Sequence, residues 1–513
     1  MQLFFLIPNV KGKNVNSKKG LKNLVYGILS QIITVTLGII IPRLVLVNLG
    51  SEANGLLNST TSILSYMSLL EAGVGTATLQ ALYKPIAKNA YNSVNRIMAA
   101  TDYFYRRTGY IYLVLVIILA STYSLFVKSE LTRLDIFLVV FLTGLSGVIS
   151  YFFQGKYSIL LQAEGKNYIA TNAGTIRTIG TSLLKVVLLV AGFQVVAVQT
   201  SYFIFNLIQM LIIVAYIRKH YKWLDLGVEP DFQAISQKNA VLIHQISGLI
   251  FGNTDVLVLT IFTSLKEVSL YSMYALIFGL VKTLTVVLSG SFTYALGQSY
   301  SDKERFLRIF NAYEIYTLAI TFSLFCITKI LILPFLTLYT AGVIDMIYID
   351  HYLPWLFIVF YLLHNGRVSS SNVISVAQRF EDTKWRSILE SAINVTVSVV
   401  MVLKFGVYGV LIGTIAALLY RTNDMIIYAA GILKRSPLIT YKRWGRNILI
   451  FAGITAVTSQ INIPADNYKE LFISSILLCI TVIPAFILIN SLAERESAKY
   501  AWLILKNTLR RTS

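Results

Sequence analysis

The chain has 513 residues, of which 56% are hydrophobic and only 13% are charged, and its mean hydropathy is +0.68. Soluble proteins carry about 25% charged residues. The charged residues here are concentrated between near-continuous apolar runs, which one water-soluble helical core could not all bury. The net charge of +20 comes without a zinc spacing or an aromatic–basic module, so we expect no nucleic-acid partner.

Fourteen apolar segments follow one another along the chain. Each is about long enough to cross a bilayer as a helix, so the sequence predicts an all-α membrane protein with about fourteen transmembrane helices. The segments are approximately 23–48, 54–80, 108–127, 136–160, 170–193, 196–217, 240–263, 268–291, 311–336, 352–372, 387–403, 406–432, 447–463 and 470–490.

The connections between these segments alternate in charge. With the N-terminus placed in the cytoplasm, most of the 44 lysines and arginines fall in cytoplasmic connections, as the positive-inside rule requires. We therefore predict a multi-pass protein of the cytoplasmic membrane with both termini in the cytoplasm. The cytoplasmic cations include Lys84, Lys88, Arg96, Arg106, Arg107, Arg218, Lys219, Lys222, Lys303, Arg305, Arg308, Lys434, Arg435, Lys442, Arg443 and Arg446.

The first twelve segments divide into two similar halves. Gly192 and Gly406 each mark a tight hairpin on the predicted outer side, and about 214 positions separate them. Arg43 and Asp255, in the first helix of each half, are separated by nearly the same interval, which indicates parallel repeats. The predicted organisation is a six-helix lobe at 1–218, a cytoplasmic linker at 219–239, a second six-helix lobe at 240–433, an additional helix pair at 434–490 and a basic tail at 491–513.

Ionisable residues inside the apolar segments are the candidates for function, because each costs about 2.5–3.5 kcal/mol to place in lipid. Small and polar residues accompany several of them at helical spacing, as in Lys282-Thr285-Ser289 and Thr414-Arg421-Asp424, which favours an interior face. An interior richer in cations than in anions predicts an anionic substrate. We expect Arg43, Lys185, Lys282 and Arg421 to bind it, with Glu71 and Asp255 in coupling or gating.

Each candidate has a structural alternative. Arg43 lies near a predicted helix end and could extend its charge to the interface. Glu71 could pair with a cation, and Asp255 could hold a neighbouring helix. Neither cysteine has a metal-ligand spacing, so we expect no metal, no cofactor and no catalytic residue; coupling to protons or sodium ions stays open.

Several short stretches resemble the Wzx-type flippases of polysaccharide repeat units. They are the first hairpin, from Arg43-Leu-Val-Leu-Val-Asn-Leu-Gly50 through Glu52-Ala-Asn-Gly55; the run Leu69-Leu-Glu-Ala-Gly73-Val-Gly75-Thr76; the sequence Asn253-Thr-Asp255; and the glycine-rich run from Phe405 to Gly413. The resemblance covers nearly the whole chain and is a loose pattern of glycines and polar positions.

The resemblance implies the superfamily of the MATE exporters and the lipid II flippase MurJ. It implies two six-helix lobes that work by alternating access, and a final helix pair like that of the lipid flippases. The implied substrate is an undecaprenyl-pyrophosphate-linked oligosaccharide, moved across a bacterial inner membrane for O-antigen, capsule or exopolysaccharide synthesis. Membrane lipids, a polysaccharide polymerase and chain-length proteins are the other implied partners.

Three alternatives stay open at this point, one of which is an assembly scaffold without transport. A lipid II or drug transporter could use the same fold, although an exporter of cations should carry more interior carboxylates than cations. A membrane polysaccharide polymerase should carry a large outer loop, and the predicted outer loops are short. The sequence therefore favours a transporter over an enzyme.

Overall fold

A computed structural model describes residues 17–71, 73–235, 252–461 and 463–512. These residues form helices joined by short connections, and no strand occurs among them. The helices are α1 (Ser17–Met67), α2 (Val74–Ala87), α3 (Tyr91–Phe126), α4 (Arg133–Ile149), α5 (Gly155–Ala163), α6 (Asn167–Val190), α7 (Val195–His220), α8 (Gly252–Phe262), α9 (Leu265–Ser299), α10 (Lys303–Tyr339), α11 (Leu353–Gly366), α12 (Val368–Val376), α13 (Phe380–Ile432), α14 (Leu438–Thr458), α15 (Tyr468–Ala493) and α16 (Arg495–Thr512).

The all-α membrane fold predicted from hydropathy is confirmed. Nine helices in the described part of the chain are long and apolar enough to cross a membrane. Two of them, α1 and α13, are interrupted at Gly50 and Gly406 and so each covers two predicted segments. Each predicted segment lies largely in helix in the structure, although the segment at 54–80 is interrupted between Leu70 and Val74 and the segment at 240–263 is described only from residue 252.

Glycines with positive φ form the tight turns. Gly192 has φ 79° between α6 and α7, and Gly406 has φ 52° within α13, conformations that other residues adopt at a cost. Both lie at predicted hairpins. Adding the repeat offset to the position of Gly50 gives Ser264, the N-cap of α9 at the connection after α8. The helices are therefore interrupted at matching positions in both halves.

The described residues cluster into two compact units. The first contains 17–41, 70–118 and 141–235, and the second contains 42–69, 119–140 and 252–512. Within the second unit, Asn54 Nδ2 donates to Ser269 Oγ at 2.7 Å, and Ser51 Oγ donates to Asp345 Oδ1 at 2.8 Å. The predicted lobe boundaries, including the linker at 219–239 that runs into residues outside the described ranges, stay a prediction.

A buried ionic network attaches the final helices to the second unit. Glu314 on α10 is 1% exposed and accepts hydrogen bonds from Arg435 and Arg443. Arg443 also pairs with Glu494 at 2.5 Å, as does Arg446 at 2.9 Å. Burial by itself would raise the pKa of the Glu494 carboxyl, but the hydrogen bonds and charges of both arginines lower the pKa below its ordinary value. The three arginines therefore have a structural role beyond setting topology.

The chain after α15 is helical in the structure. α16 begins at Arg495, and Tyr500 packs against a buried apolar cluster that includes Phe306, Phe310 and Leu433. Trp502, in contrast, is 65% exposed, so α16 also presents an apolar side chain that the described residues do not bury. The predicted basic tail at 491–513 is thus helical from Arg495 to Thr512.

Replacing Glu314 tests the ionic network. Glu314→Ala leaves two buried guanidinium groups without their shared carboxylate, and we expect a loss of about 3–5 kcal/mol in folding free energy. The measurement is the thermal unfolding temperature of the purified protein. Glu304→Ala on the same helix is the matched control, because its pair with Arg308 is exposed and contributes at most about 1 kcal/mol. Equal unfolding temperatures for the two variants would contradict the structural role.

Candidate functional site

The second unit holds a cluster of cations around α13, which we call the α13 cluster: Lys282, Arg367, Arg386, Glu390, Arg421 and Asp424. It contains four cations and two carboxylates. Arg367 stands at the break between α11 and α12, Lys282 lies on α9, and the others lie on the two halves of α13. The predicted orientation places the cluster in the middle and cytoplasmic part of the spans.

Glu390 links two arginines of the α13 cluster. Its Oε1 accepts from Arg367 Nη1 at 2.5 Å, and its Oε2 lies 3.4 Å from Arg421 Nε. Arg421 is 3% exposed, pairs with Asp424 and donates to Ser387 Oγ at 3.1 Å. The carboxylate therefore offsets two charges that would otherwise repel each other inside the protein.

Asp424 continues the cluster towards the surface. Its Oδ1 accepts from Arg386 Nη1 at 2.6 Å, and the guanidinium of Arg386 lies 4.7 Å from the ring centroid of Tyr428. Arg386 is 37% exposed along its side chain. One cation of the cluster thus remains accessible while its charge is held in place by a carboxylate and an aromatic ring.

Lys282 differs from the arginines. It is half-buried, its ammonium has no hydrogen bond or ion pair with the residues that the structure describes, and it lies close enough to Arg367 for their charges to repel. One turn later, Thr285 Oγ1 donates to Asn365 Oδ1 at 2.9 Å and fixes α9 against α11. A cation held in a partly apolar environment without a counter-charge is suited to binding an anion.

Asp255 occupies a second site in the same unit. Its two oxygens accept from Thr414 Oγ1 at 2.6 Å and from Tyr271 Oη at 2.8 Å. Asn394 Nδ2 donates to Thr414 at 2.8 Å, and its own Oδ1 is buried without a hydrogen-bond partner among the described residues. The site thus gathers a carboxylate and several oxygen acceptors, with no cation among the described residues, a set that fits a proton or a sodium ion.

Arg43 belongs to α1 and contacts the predicted outer end of α10. Its Nη1 donates to the carbonyl of Leu338 at 2.8 Å, and its guanidinium lies 6.0 and 5.3 Å from the ring centroids of Tyr339 and Tyr468. That carbonyl is one of the last four of the helix, which have no helical donor. The geometry is that of a helix-end anchor, and the predicted contact of Arg43 with substrate stays a prediction.

The first unit contains the other two predicted site residues. Lys185 on α6 is half-buried and has no ion pair or hydrogen bond with the described residues. Glu71 accepts a hydrogen bond from Tyr105, and an added Cβ at Gly75 would lie 3.3 Å from its Oε1. The sequence predicted Glu71 inside a continuous helix, but the helix is interrupted there: a 3₁₀ turn ends at Leu70, and Gly73 has φ 91° before α2 begins.

The sequence did not single out an ion pair in the first unit. Lys156, 5% exposed, bonds Asp102, whose other oxygen is 2.8 Å from Arg106 Nε. Lys156 follows directly on a π-helical turn at Ser150–Gln154, a feature common at functional sites. The spacing of Asp102 and Arg106 was the available signal, since residues four apart share a helix face. The extra residue of the π turn has no comparable signature.

Comparisons with known proteins give the fold. No protein-family profile matches the sequence, and no curated protein matches it. A structure of the lipid II flippase MurJ in an inward closed conformation has a TM-score of 0.69 and 14% identity, covering 92% of this chain and 99% of MurJ. An inward-facing multidrug resistance MATE transporter of the MOP superfamily has a TM-score of 0.62 and 16% identity, covering 78% and 96%.

A third solved structure shares the fold. It is a MOP superfamily transporter from Pyrococcus furiosus, described as having a binding pocket of reverse polarity, with a TM-score of 0.53 and 14% identity over 82% of this chain and 97% of its own. The chain has the fold of these membrane transporters. The proteins compared are transporters and flippases, and none is described as an enzyme.

A double-mutant cycle tests the bridge at Glu390. Glu390→Gln alone should destabilise the protein by about 3–5 kcal/mol, because Arg367 loses this carboxylate partner and Arg421 loses one of its two. Combining it with Arg367→Gln should cost less than the sum of the two single changes, since the second change removes a cation whose charge Glu390 offsets. Unfolding free energies of the four proteins give the coupling, and strict additivity would contradict the bridge.

Proposed function

We propose that the protein is a flippase for undecaprenyl-pyrophosphate-linked oligosaccharides, which it moves by alternating access from the cytoplasmic to the outer leaflet. The observation that carries the proposal is the excess of cations in the α13 cluster, and above all the half-buried Lys282 without a counter-charge among the described residues. No covalent step is required, because the reaction is a movement.

A pyrophosphate fits the chemistry of the cluster. Lys282 supplies a mobile point charge, whereas Arg386 supplies a planar fork that can bind two phosphate oxygens at once. The arginines already hold fixed positions through Glu390 and Asp424, so binding an anion there costs little side-chain ordering. Arg421 is enclosed by its partners, which supports a role in keeping the cluster positive.

The extent of the fold supports a lipid-linked substrate. The match to MurJ covers 92% of this chain. The match to the MATE transporter covers 78% of this chain, although it includes 96% of the MATE transporter's own length. The difference of about 14% of 513 residues is comparable to the length of the additional helix pair, α14 and α15. In this chain that pair is bonded to α10 through Glu314 and therefore belongs to the folded bundle.

Other functions on this fold make different demands. A transporter of cationic drugs needs interior carboxylates, whereas the α13 cluster has fewer carboxylates than cations. A polymerase needs a catalytic outer domain, and the longest predicted outer connection in the described ranges is the 340–352 loop. Lipid II carries a pyrophosphate too, so it is the alternative that the charges do not separate from the proposal.

Complementation tests the proposal and Lys282 together. In a bacterium lacking its own polysaccharide flippase, the protein should restore surface polymer and remove the accumulated lipid-linked repeat units. Lys282→Gln should lower the polymer about tenfold at unchanged membrane abundance, equivalent to losing one charge-assisted contact. Lys404→Gln is the matched control, because Lys404 is exposed at the predicted outer side.

The outcomes separate the substrate classes. Wild-type transport by Lys282→Gln would reject the anion site while leaving the flippase function in place. Failure of the wild-type protein, together with rescue of a strain depleted of its lipid II flippase, would assign lipid II as the substrate. Failure in both strains despite verified membrane abundance would overturn the proposal.

We further propose that Asp255 couples transport to an ion. A carboxylate bound by Thr414 and Tyr271, with no cation beside it in the part of the chain that the structure describes, can gain or lose a positive ion without breaking a salt bridge there. The buried Oδ1 of Asn394 is available as an additional ligand. The energy of such a step is large in a low dielectric, so occupancy of the site should change the relative stability of the transport states.

Asp255→Asn tests the coupling. The substitution keeps the size and the hydrogen-bonding shape but removes the charge, so transport should lose its dependence on the driving ion while abundance is unchanged. Transport would be measured against imposed sodium and proton gradients, with Asp135→Asn at the exposed start of α4 as the control. Loss of the sodium response identifies sodium, loss of the pH response identifies protons, and retention of both would reject Asp255.

A further inference from the structure

Away from the proposed transport site, a cavity of about 210 Å³ lies between α10 and the connection from α14 to α15. Its lining includes Lys329, Ile330 and Pro334 from α10, and Thr458 and Ser459 from the end of α14. All of these residues belong to the second unit. The cavity lies at the predicted outer end of the final helix pair.

Lys329 gives the cavity a positive charge. Its side chain is half-buried, and its ammonium lies 4.9 Å from the ring centroid of Trp355, with no carboxylate or hydrogen-bond acceptor among the described residues. A partly desolvated ammonium that lacks an anionic partner favours an anionic ligand. The ring attracts the ammonium and holds it in place without neutralising it.

Besides Lys329, the cavity offers several hydrogen-bond acceptors. Pro334 has no N–H, so the carbonyl of Ile330 lacks its helical hydrogen bond. Thr458 Oγ1 donates to Ile454 O at 2.9 Å and Ser459 Oγ donates to Ala456 O at 2.8 Å. Both hydroxyl protons are thereby occupied, which leaves the oxygen lone pairs facing outward. A matching ligand carries a negative charge and a hydrogen-bond donor close to each other.

The position of the cavity is that of a lipid headgroup. α14 ends at Thr458 and α15 begins at Tyr468, so the chain turns back at the predicted outer side. Lipid-exposed connections do not occur within the hydrocarbon region, so this turn lies at the membrane boundary. Trp355, in the first turn of α11 and 45% exposed, is of the type enriched at that level. Ile330 and Ile461, also in the lining, offer apolar contact to the lipid.

We propose that this cavity binds the headgroup of a membrane phospholipid that carries both a phosphate and a hydrogen-bond donor, as phosphatidylglycerol and phosphatidylethanolamine do. Lys329 binds the phosphate, and the Ile330 carbonyl and the two hydroxyl oxygens accept from the glycerol hydroxyls or the ammonium. The cavity is about seven times the roughly 30 Å³ that one water occupies, enough for such a headgroup and too small for an oligosaccharide. The bound lipid would fasten the final helix pair to α10.

Native mass spectrometry of the full-length protein tests the site. Phosphatidylglycerol, phosphatidylethanolamine and phosphatidylcholine with identical acyl chains would be titrated into the detergent-purified protein. The first two should be retained several-fold more tightly than phosphatidylcholine, which has no donor. Lys329→Gln should weaken their retention about tenfold, the effect of one charge-assisted contact, whereas Lys404→Gln, an exposed lysine at the same predicted side, should not.

A second variant and a soluble probe complete the test. Ala465→Phe fills the cavity without touching Lys329 and should also abolish the selective retention, at an unchanged unfolding temperature in lipid-free detergent. Equal retention by the Lys329 and Lys404 variants, or equal retention of all three lipids, would overturn the proposal. Competition by soluble glycerol phosphate at lipid-like concentrations would show a small-anion site and would overturn it as well. The result does not depend on which substrate the protein transports.

Discussion

A charge placed in an apolar helix must find its partner inside the protein, and this constraint explains the most buried contacts of the structure. Lipid offers neither hydration nor counter-ions, so an unpaired charge costs several kcal/mol. Glu314 meets the constraint by binding two arginines, and thereby ties α10 to α14. Lys156 meets it through Asp102. In both cases the electrostatic requirement of one residue determines which helices pack together.

The same constraint makes the exceptions informative. Lys185, Lys282 and Lys329 are half-buried lysines whose ammonium groups have no carboxylate among the described residues. Arginines in comparable positions, such as Arg367 and Arg421, are paired. A lysine can keep part of its hydration by bending its flexible stem, whereas a buried guanidinium needs fixed acceptors. Lysines are therefore the positions at which an incoming anion can be bound without displacing a protein carboxylate.

The sequence was sufficient for the spans and the turns, because both are local properties. Hydropathy located the helices, and Gly192 and Gly406 marked hairpins whose positive φ the structure shows. The ion pairs could not be predicted in this way. Glu314 bonds partners 121 and 129 residues away, and no pattern in one sequence encodes that contact. The sequence analysis did not predict the interruption at Glu71, because a polar stripe has the same spacing in a continuous helix and in an interrupted one. Gly73 was the available signal for a helix end.

Asp255 and Glu390 show why the identity of the donors matters more than burial. Both carboxylates lie less than 10% exposed in the second unit. Glu390 contacts two guanidinium groups, and without its carboxylate these two cations would repel each other, so the residue is part of the structure. Asp255 accepts from the hydroxyls of Thr414 and Tyr271 and has no cation beside it among the described residues, so a proton or sodium ion there would neutralise a charge that no described residue neutralises. Of the two carboxylates, Asp255 is thus the one whose occupancy can change during a transport cycle without dismantling the fold.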